Sequence, residues 1–375
     1  MNTKNVKCVI KAFVCLLLCA SCSPRDNQET IGSIAINVKE LSGLKPILDS
    51  YRYVRLQTPD TCIIKSVNKI VPTDSLLFVM DESTTIYICN YNGEFLKKIS
   101  HKGHGRGEYL KITDFDVYGN QLWILDSQLN KILRYGLDGK LKHEHRLPDS
   151  YHSISVQPNG KVFLCSQQSN EGLYNFVLYD TETEAVVNKL AKFNKNNSCV
   201  QRDFHDFIGR SADTLVVANR FDHMIYNLTP DSYSPRLTLS FNTDDALPAN
   251  TEELDYFQLL EETRFKNVVK NPYLYYQNPK QTIIGYYLFD NYGDCYYLTS
   301  IANDGTQHTA RLLAKADPDF PYISPILAQF ADELVSVFPA GNILRLEKNL
   351  GLDLFTNMGV TPSDNPIIFF HHIRK

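Results

Sequence analysis

The chain has 375 residues, room for two or three ordinary domains or one large repeat fold, and its 43% apolar and 21% charged residues exclude a disordered or collagen-like polymer. The formal net charge of −4 falls to −7 once a leader carrying Lys4, Lys7 and Lys11 is removed, so the basic footprint of a nucleic-acid binder is missing. Aromatics make up 11%, with 22 Tyr and 20 Phe, and suit pleated, half-buried sheets better than helices.

Residues 1–22 carry three lysines and no acid, then an apolar run from Ala12 to Ala20, then Ser21 and Cys22. A positive start, a short apolar stretch and a small residue before the cut read as a secretory signal, and nine apolar residues are too few to span a bilayer. Cys22 followed by Ser-Pro-Arg-Asp-Asn-Gln-Glu has the pattern of a bacterial lipoprotein signal, with Cys22 lipidated after cleavage; Cys19 is the weaker site because bulky Leu18 precedes it. A plain signal peptide and a retained anchor are the alternatives. Residues 23–50 are expected to form a polar tether and N-terminal extension. Cys62, Cys89, Cys165, Cys199 and Cys295 remain, an odd number with no CxxC pair, which fits free thiols in strands and not a zinc centre.

From residue 51 the chain repeats one phrase: a strand-like run, a polar turn, a second run, an Asn-Gly or Asp-Gly turn, a third run. After YRYVRLQT (51–58), copies occupy 76–100, 112–147, 153–190, 211–241, 283–315 and 330–349. Asn92-Gly93 and Asp138-Gly139 supply the positive φ angles of tight hairpin turns. Asp81 and Asp126 close the runs LLFVMD and LWILD at equivalent places, and Trp123 sits in a central strand. Residues 51–375, less an insertion at 244–281, leave about 48 residues per copy. A period of 40–50 holding about four short antiparallel strands predicts an all-β, six-bladed β-propeller. Two sandwiches in tandem are the competing architecture. Ring closure is expected from YRYVRLQT pairing beside the last apolar run, PIIFFHHI (366–373).

The segment Gly103-His104-Gly105-Arg106-Gly107-Glu108-Tyr109 is not a phosphate loop, because LKITDFDV after it alternates as a strand and not as a helix. It reads either as an inter-blade turn with Arg106 pairing Glu108, or as a channel rim where Arg106, Glu108 and Tyr109 touch ligand. Asp114 and Asp116 share one strand face. They either accept backbone N–H groups or look into the channel, where the pair could hold a divalent cation or act as acid and base. No cofactor and no metal-ligand residues are otherwise expected, and adjacent His371 and His372 point to opposite faces of a strand. His205 and Asp206 precede the fourth blade; with Arg106 and Asp114 they form the candidate catalytic set of an enzymatic reading.

The insertion at 244–281 is expected to place a short helix between blades four and five, starting between Asn250 and Glu253, showing Leu254, Phe257, Phe265 and Val268 on one stripe, and ending at Pro272. Tyr286, Tyr287, Tyr296 and Tyr297 read as strand packing. Tyr273, Tyr275 and Tyr276, in a segment bounded by prolines, are candidate ligand-stacking rings on a loop.

The leader, the tether, YRYVRLQT, HKGHGRGEYLKITDFDVYGNQLWILD and the C-terminal DNPIIFFHHIRK together resemble the six-bladed β-propeller lipoproteins of gut anaerobic bacteria, relatives of the NHL-repeat propellers, over essentially the mature chain. The strongest local likeness is at 103–109, with Arg106 where proline is frequent. The resemblance implies a propeller fold and an envelope location. The expected function is a non-catalytic binding or scaffold protein, lipid-anchored at the outer membrane, with a glycan, peptide or envelope protein as partner and no nucleic acid. The alternative is a lyase or hydrolase acting on a glycan or modified peptide at the channel mouth; the sequence carries no nucleophile elbow and no HExxH to favour it.

Overall fold

The computed structural model describes residues 31–166, 174–192, 207–211, 214–251, 254, 256–290, 293–312, 317 and 319–375. Cys22 with the leader, Cys199, His205 and Asp206 lie outside the described residues. Residues 33–375 form one compact unit.

Six antiparallel sheets follow one another along that unit. Strand β1 (Gly32–Ile36) and strand β2 (Leu48–Arg55) precede the first complete blade, β3–β6 (Val67–Pro72, Leu76–Asp81, Ile86–Asn90, Phe95–Ile99). The second blade is β7–β10 (Asp114–Tyr118, Gln121–Asp126, Lys131–Gly136, Leu141–Arg146), and the third is β11–β14 (Tyr151–Val156, Lys161–Ser166, Tyr174–Asp180, Ala185–Lys192). The fourth is β15–β18 (Phe207–Ser211, Thr214–Ala218, Met224–Leu228, Tyr233–Phe241), with β1 added beside β18 as a fifth strand. Helix α1 (Tyr256–Thr263) leads into the fifth, β19–β22 (Val269–Gln277, Gln281–Asp290, Gly293–Ala302, Gln307–Arg311). The sixth combines β23 (Ile326–Phe330), β24 (Glu333–Phe338) and β25 (Ile367–Ile373) with β2 from the other end of the chain, paired antiparallel from Leu48↔Ile373 to Arg55↔Ile367. This is the closure expected of YRYVRLQT, and it leaves the two chain ends holding one sheet.

The middle strands of each blade bury both faces, which is why their sequences are apolar at consecutive positions. Successive residues point to opposite sides of a sheet. In β8, Leu122 and Ile124 enter the core shared by blades one and two, while Trp123 and Leu125 enter the core shared by blades two and three. Similar cores join blades three to four, four to five and five to six. The sixth returns to the start, packing Val335, Ile368 and Phe370 against Ile70, Leu77 and Val79. Six cores in a cycle make the sheets a closed six-bladed propeller.

The repeated aspartates have a structural role. Asp126 is fully buried; its Oδ1 accepts the N–H groups of Gln128 and Leu129, and its Oδ2 that of Leu110 at 2.7 Å. Asp81 caps its own hairpin through Ser83 and Thr85. Each carboxylate thus ties a turn down, and Asp126 also holds the segment entering its blade. Gly93 (φ 82°) sits where an added Cβ would lie 1.9 Å from the Arg55 carbonyl oxygen, so no other residue fits between β2 and that turn.

The N-terminal extension carries β1 and buries Ile36, Leu44 and Ile47. Three expectations about the helices need correction. The helix between blades four and five covers only Tyr256–Thr263 and does not run to Pro272, because Val268 and Val269 are drawn into buried packing and β19 starts at Val269. Its anchor is Leu259 against Phe221, while Phe257 and Phe265 of the expected stripe are exposed. The second half of the 330–349 copy is helical: α2 (Ala340–Leu350) and α3 (Leu354–Asn357) interrupt the sixth blade between β24 and β25. Ala340, Ile343 and Glu347 are its buried face, and Glu347 clasps α3 by accepting from the N–H groups of Phe355 and Thr356 and from the Tyr322 hydroxyl at 2.8–2.9 Å.

Candidate functional site

The innermost strands β3, β7, β11, β15, β19 and β23 each pair on one side only, and their free edges face the middle of the ring. There they enclose a cavity of about 430 Å³ lined by residues of all six blades. Apolar side chains from every blade line it, among them Val71, Val117, Val156, Ile208, Leu274 and Ile326, whereas the charged groups Lys69, Asp116 and Arg210 come from blades one, two and four.

The charged side is tightly cross-linked. Lys69 Nζ lies 2.6 Å from Asp114 Oδ1, joining blades one and two. Asp114 Oδ2 accepts the Ile154 N–H at 2.9 Å, and Asp116 Oδ2 accepts the Val156 N–H at 2.8 Å, joining blades two and three. Their Oδ1 atoms accept the N–H groups of Phe115 and Val117. Every carboxylate oxygen of the pair therefore already has a donor, and a divalent cation at this point would have to displace Lys69. Burial raises the Asp116 carboxyl above its ordinary value; Lys69 and the two N–H donors partly hold it down, and Asp114 adds to the rise. Arg210 is exposed to the cavity and bonds only through Nη2, to Ser155 Oγ at 3.2 Å and the Val156 carbonyl at 3.4 Å. Its Nε and Nη1 have no partner among the described residues.

The sequence candidates fall largely elsewhere. Arg106, Glu108 and Tyr109 do not line the cavity. Tyr109 is fully buried, with its hydroxyl on the Ile99 carbonyl, and Glu108 folds back onto the Gly105 N–H at 2.8 Å instead of pairing with Arg106. The segment is a wedge between blades one and two, pinned by Glu144 on the Gly107 N–H and by the Tyr135 hydroxyl on the Gly107 carbonyl. Asp114 is near the channel, but as a staple and not as an idle acid. The structure therefore does not bring Arg106 to Asp114, and His205 and Asp206 lie outside the described residues.

Tyr273, Tyr275 and Tyr276 are not on a loop. They belong to β19, all under 10% exposed, and alternate between the cores on either side of blade five. Pro272 is tolerated because β19 is an inner strand whose second edge needs no ladder partner. Tyr275 takes a hydrogen bond from Arg236 Nε, Tyr276 donates to Asp332, and the Tyr273 ring lies on Gly285, where a Cβ would come within 2.9 Å of it. Arg210 and Lys69 were missed because a lone basic residue at the start of a blade carries no spacing signal.

A family described as "Domain of unknown function (DUF4934)" matches residues 33–372. No curated protein matches the chain. Among solved structures, a Bacteroides fragilis protein classed provisionally as exported superposes with a TM-score of 0.72 at 18% identity, covering 92% of this chain and 100% of its own. A member of the DUF4221 family from Bacteroides vulgatus reaches 0.50 at 10% identity, covering 87% and 99%. At these identities the likeness is one of fold. Among the described residues no helix is long and apolar enough to cross a membrane.

Proposed function

We propose, from the premise that the chain belongs to the family described as a domain of unknown function (DUF4934), that it is a lipid-anchored envelope protein whose propeller binds, without turnover, an acidic group of a glycan or peptide in its central cavity. The observation that carries this reading is Arg210. A guanidinium with uncommitted N–H donors faces a cavity of about 430 Å³, and such a fork matches a carboxylate bidentately. Beside it, on the next two blades, Leu274, Ile326 and Leu327 offer the apolar contact area that a sugar ring or side chain requires. Lys69 and Asp114 neutralise one another, so they hold the wall in place and leave Arg210 as the cation a ligand meets.

The measurement is a binding screen of acidic glycans and peptides, with product analysis of each hit. Arg210→Ala should weaken a carboxylate ligand at least tenfold, a loss of about 1.4 kcal/mol, and the neutral analogue should bind wild type and variant alike. Equal affinity of both proteins for the acid sinks the assignment, and turnover of a hit by wild type favours the lyase or hydrolase reading.

Envelope location and lipidation rest on the leader pattern and on the exported class given to the Bacteroides fragilis protein. Cys22→Ala removes the thiol that takes the lipid and should move the protein from the membrane fraction to a soluble or uncleaved form. Unchanged detergent partitioning excludes the anchor.

A further inference from the structure

We propose that His143, His145 and Glu184 form a transition-metal site, with zinc as its ion, at the outer edge of the ring between blades two and three. His143 and His145 are two residues apart on β10, the outermost strand of its blade, and so share a face. Glu184 comes from the turn between β13 and β14 of the next blade. His143 Nε2 lies 3.2 Å and His145 Nδ1 3.3 Å from the same oxygen, Glu184 Oε1. One ligand atom from each residue lies within 4.8 Å of the others. Zinc bonds of about 2.0–2.1 Å in a tetrahedron put ligand atoms about 3.3 Å apart, so both nitrogens already stand at ligand spacing from the carboxylate.

The site is built and not merely crowded. His145 is 1% exposed, its ring parallel to Trp123 at 6.4 Å and edge-on to Tyr179, and this packing fixes Nδ1 toward Glu184. Its Nε2 has no hydrogen-bond partner among the described residues, so packing and not a polar contact on that side sets the ring's orientation. His143 and Glu184 are half exposed, which leaves a fourth position open to water. Two imidazoles and one carboxylate suit zinc, copper or nickel, whereas calcium and magnesium prefer all-oxygen cages. A bound ion would tie β10 to the neighbouring hairpin. The HxH spacing at 143–145 was the available sequence signal, but the third ligand, 39 residues on, is joined to it only by blade packing.

The test uses the full chain, purified in detergent, stripped with chelator and titrated with zinc alone by calorimetry. One equivalent should bind with a dissociation constant below about 100 μM, raise the melting temperature, and be replaceable by cobalt with visible d–d absorption, while calcium gives no heat. His143→Ala and Glu184→Ala should each weaken zinc at least a hundredfold while metal-free melting stays near wild type, since both side chains are half exposed. Glu184→Gln keeps the shape of the contact and weakens the ligand, so it separates metal loss from misfolding. Absence of binding below about 100 μM, or binding that survives any of the three substitutions within tenfold, overturns the site.

Discussion

Trp123→Ala should lower the melting temperature of the whole ring by roughly 4–7 °C in a single transition. The side chain is 3% exposed and fills the core between blades two and three beside Leu125, Ile132, Ile154 and Val177. Arg134 covers its other surface with the guanidinium carbon 4.5 Å from the ring centroid. Truncating a buried Trp costs about 3–5 kcal/mol in lost burial and cavity, and an unfolding entropy of about 2.1 cal/mol/K per residue over a chain of this size converts that loss to the stated shift. The transition stays single because every core is shared by two blades: loosening one loosens both neighbours, and the ring has no end from which to fray. Trp123→Phe separates causes. The indole Nε1 is buried without a hydrogen-bond partner among the described residues, so Phe discards a polar group that gains nothing from the fold and should cost clearly less than Ala. Differential scanning calorimetry decides it. A wild-type melt for Trp123→Ala, or two transitions, contradicts a closed ring with this residue in its core.

Strand placement was legible because a blade buries both faces of its middle strands. Runs such as LLFVMD and LWILD cannot be solvent-facing on either side, and the Asp that ends each one marks a turn with a buried cap. The closure was legible for a related reason: YRYVRLQT and PIIFFHHI are strand-like runs without a third neighbour in sequence, and pairing them satisfies both, whereas the residue-by-residue register comes only from the structure. The helical excursion at 340–357 was misread because ELVSVF supplies a genuine strand, and the helix after it is set by Glu347, whose partners Tyr322, Phe355 and Thr356 are brought together only by the tertiary fold.

The candidate site was legible only in part. Asp114 and Asp116 were recognised as a shared-face pair, and the reading in which backbone N–H groups occupy them is the arrangement found. The tyrosines of β19 were misplaced because two prolines bracket them. Pro272 signals a loop anywhere except on a strand with an unpaired edge, and whether an edge is unpaired depends on where the strand stands in the ring. Arg210 likewise acquires meaning only from its position on an innermost strand. At 103–109 the inter-blade-turn reading matches the arrangement found, in which the glycines let Glu108 fold onto the Gly105 N–H and not onto Arg106.

Acid should destabilise the ring well above the ordinary carboxylate range, and His371 should account for much of that loss. The residue is fully buried in β25; its Nε2 meets Ser336 Oγ at 2.9 Å and its Nδ1 has no partner among the described residues. Burial pushes its pKa down to about 3, whereas the unfolded chain titrates near 6.5. Between those values the unfolded state binds a proton that the folded state refuses, so stability rises with pH across the window, is complete above about 6.5 and is lost progressively as pH falls toward 3. The full span corresponds to an upper bound of about 4–5 kcal/mol at the acid end. Asp116, whose folded pKa is raised, acts in the opposite sense, since its burial favours the protonated form and its contribution falls as pH rises. The carboxyls of Glu347 and Asp364 are lowered: burial opposes the change, and hydrogen bonds from Phe355 and Thr356, or from Thr361 and Arg55, outweigh it. They withdraw stability only at lower pH, below their unfolded values. The two regimes are therefore separable by denaturant unfolding at pH 7, 6, 5 and 4 with chelator present. His371→Gln keeps a polar contact for Ser336 but cannot take up a proton. Whatever it costs at pH 7, its stability should change less than wild type between pH 6.5 and 5, and a slope equal to wild type would mean that the buried imidazole is not the group that senses acid.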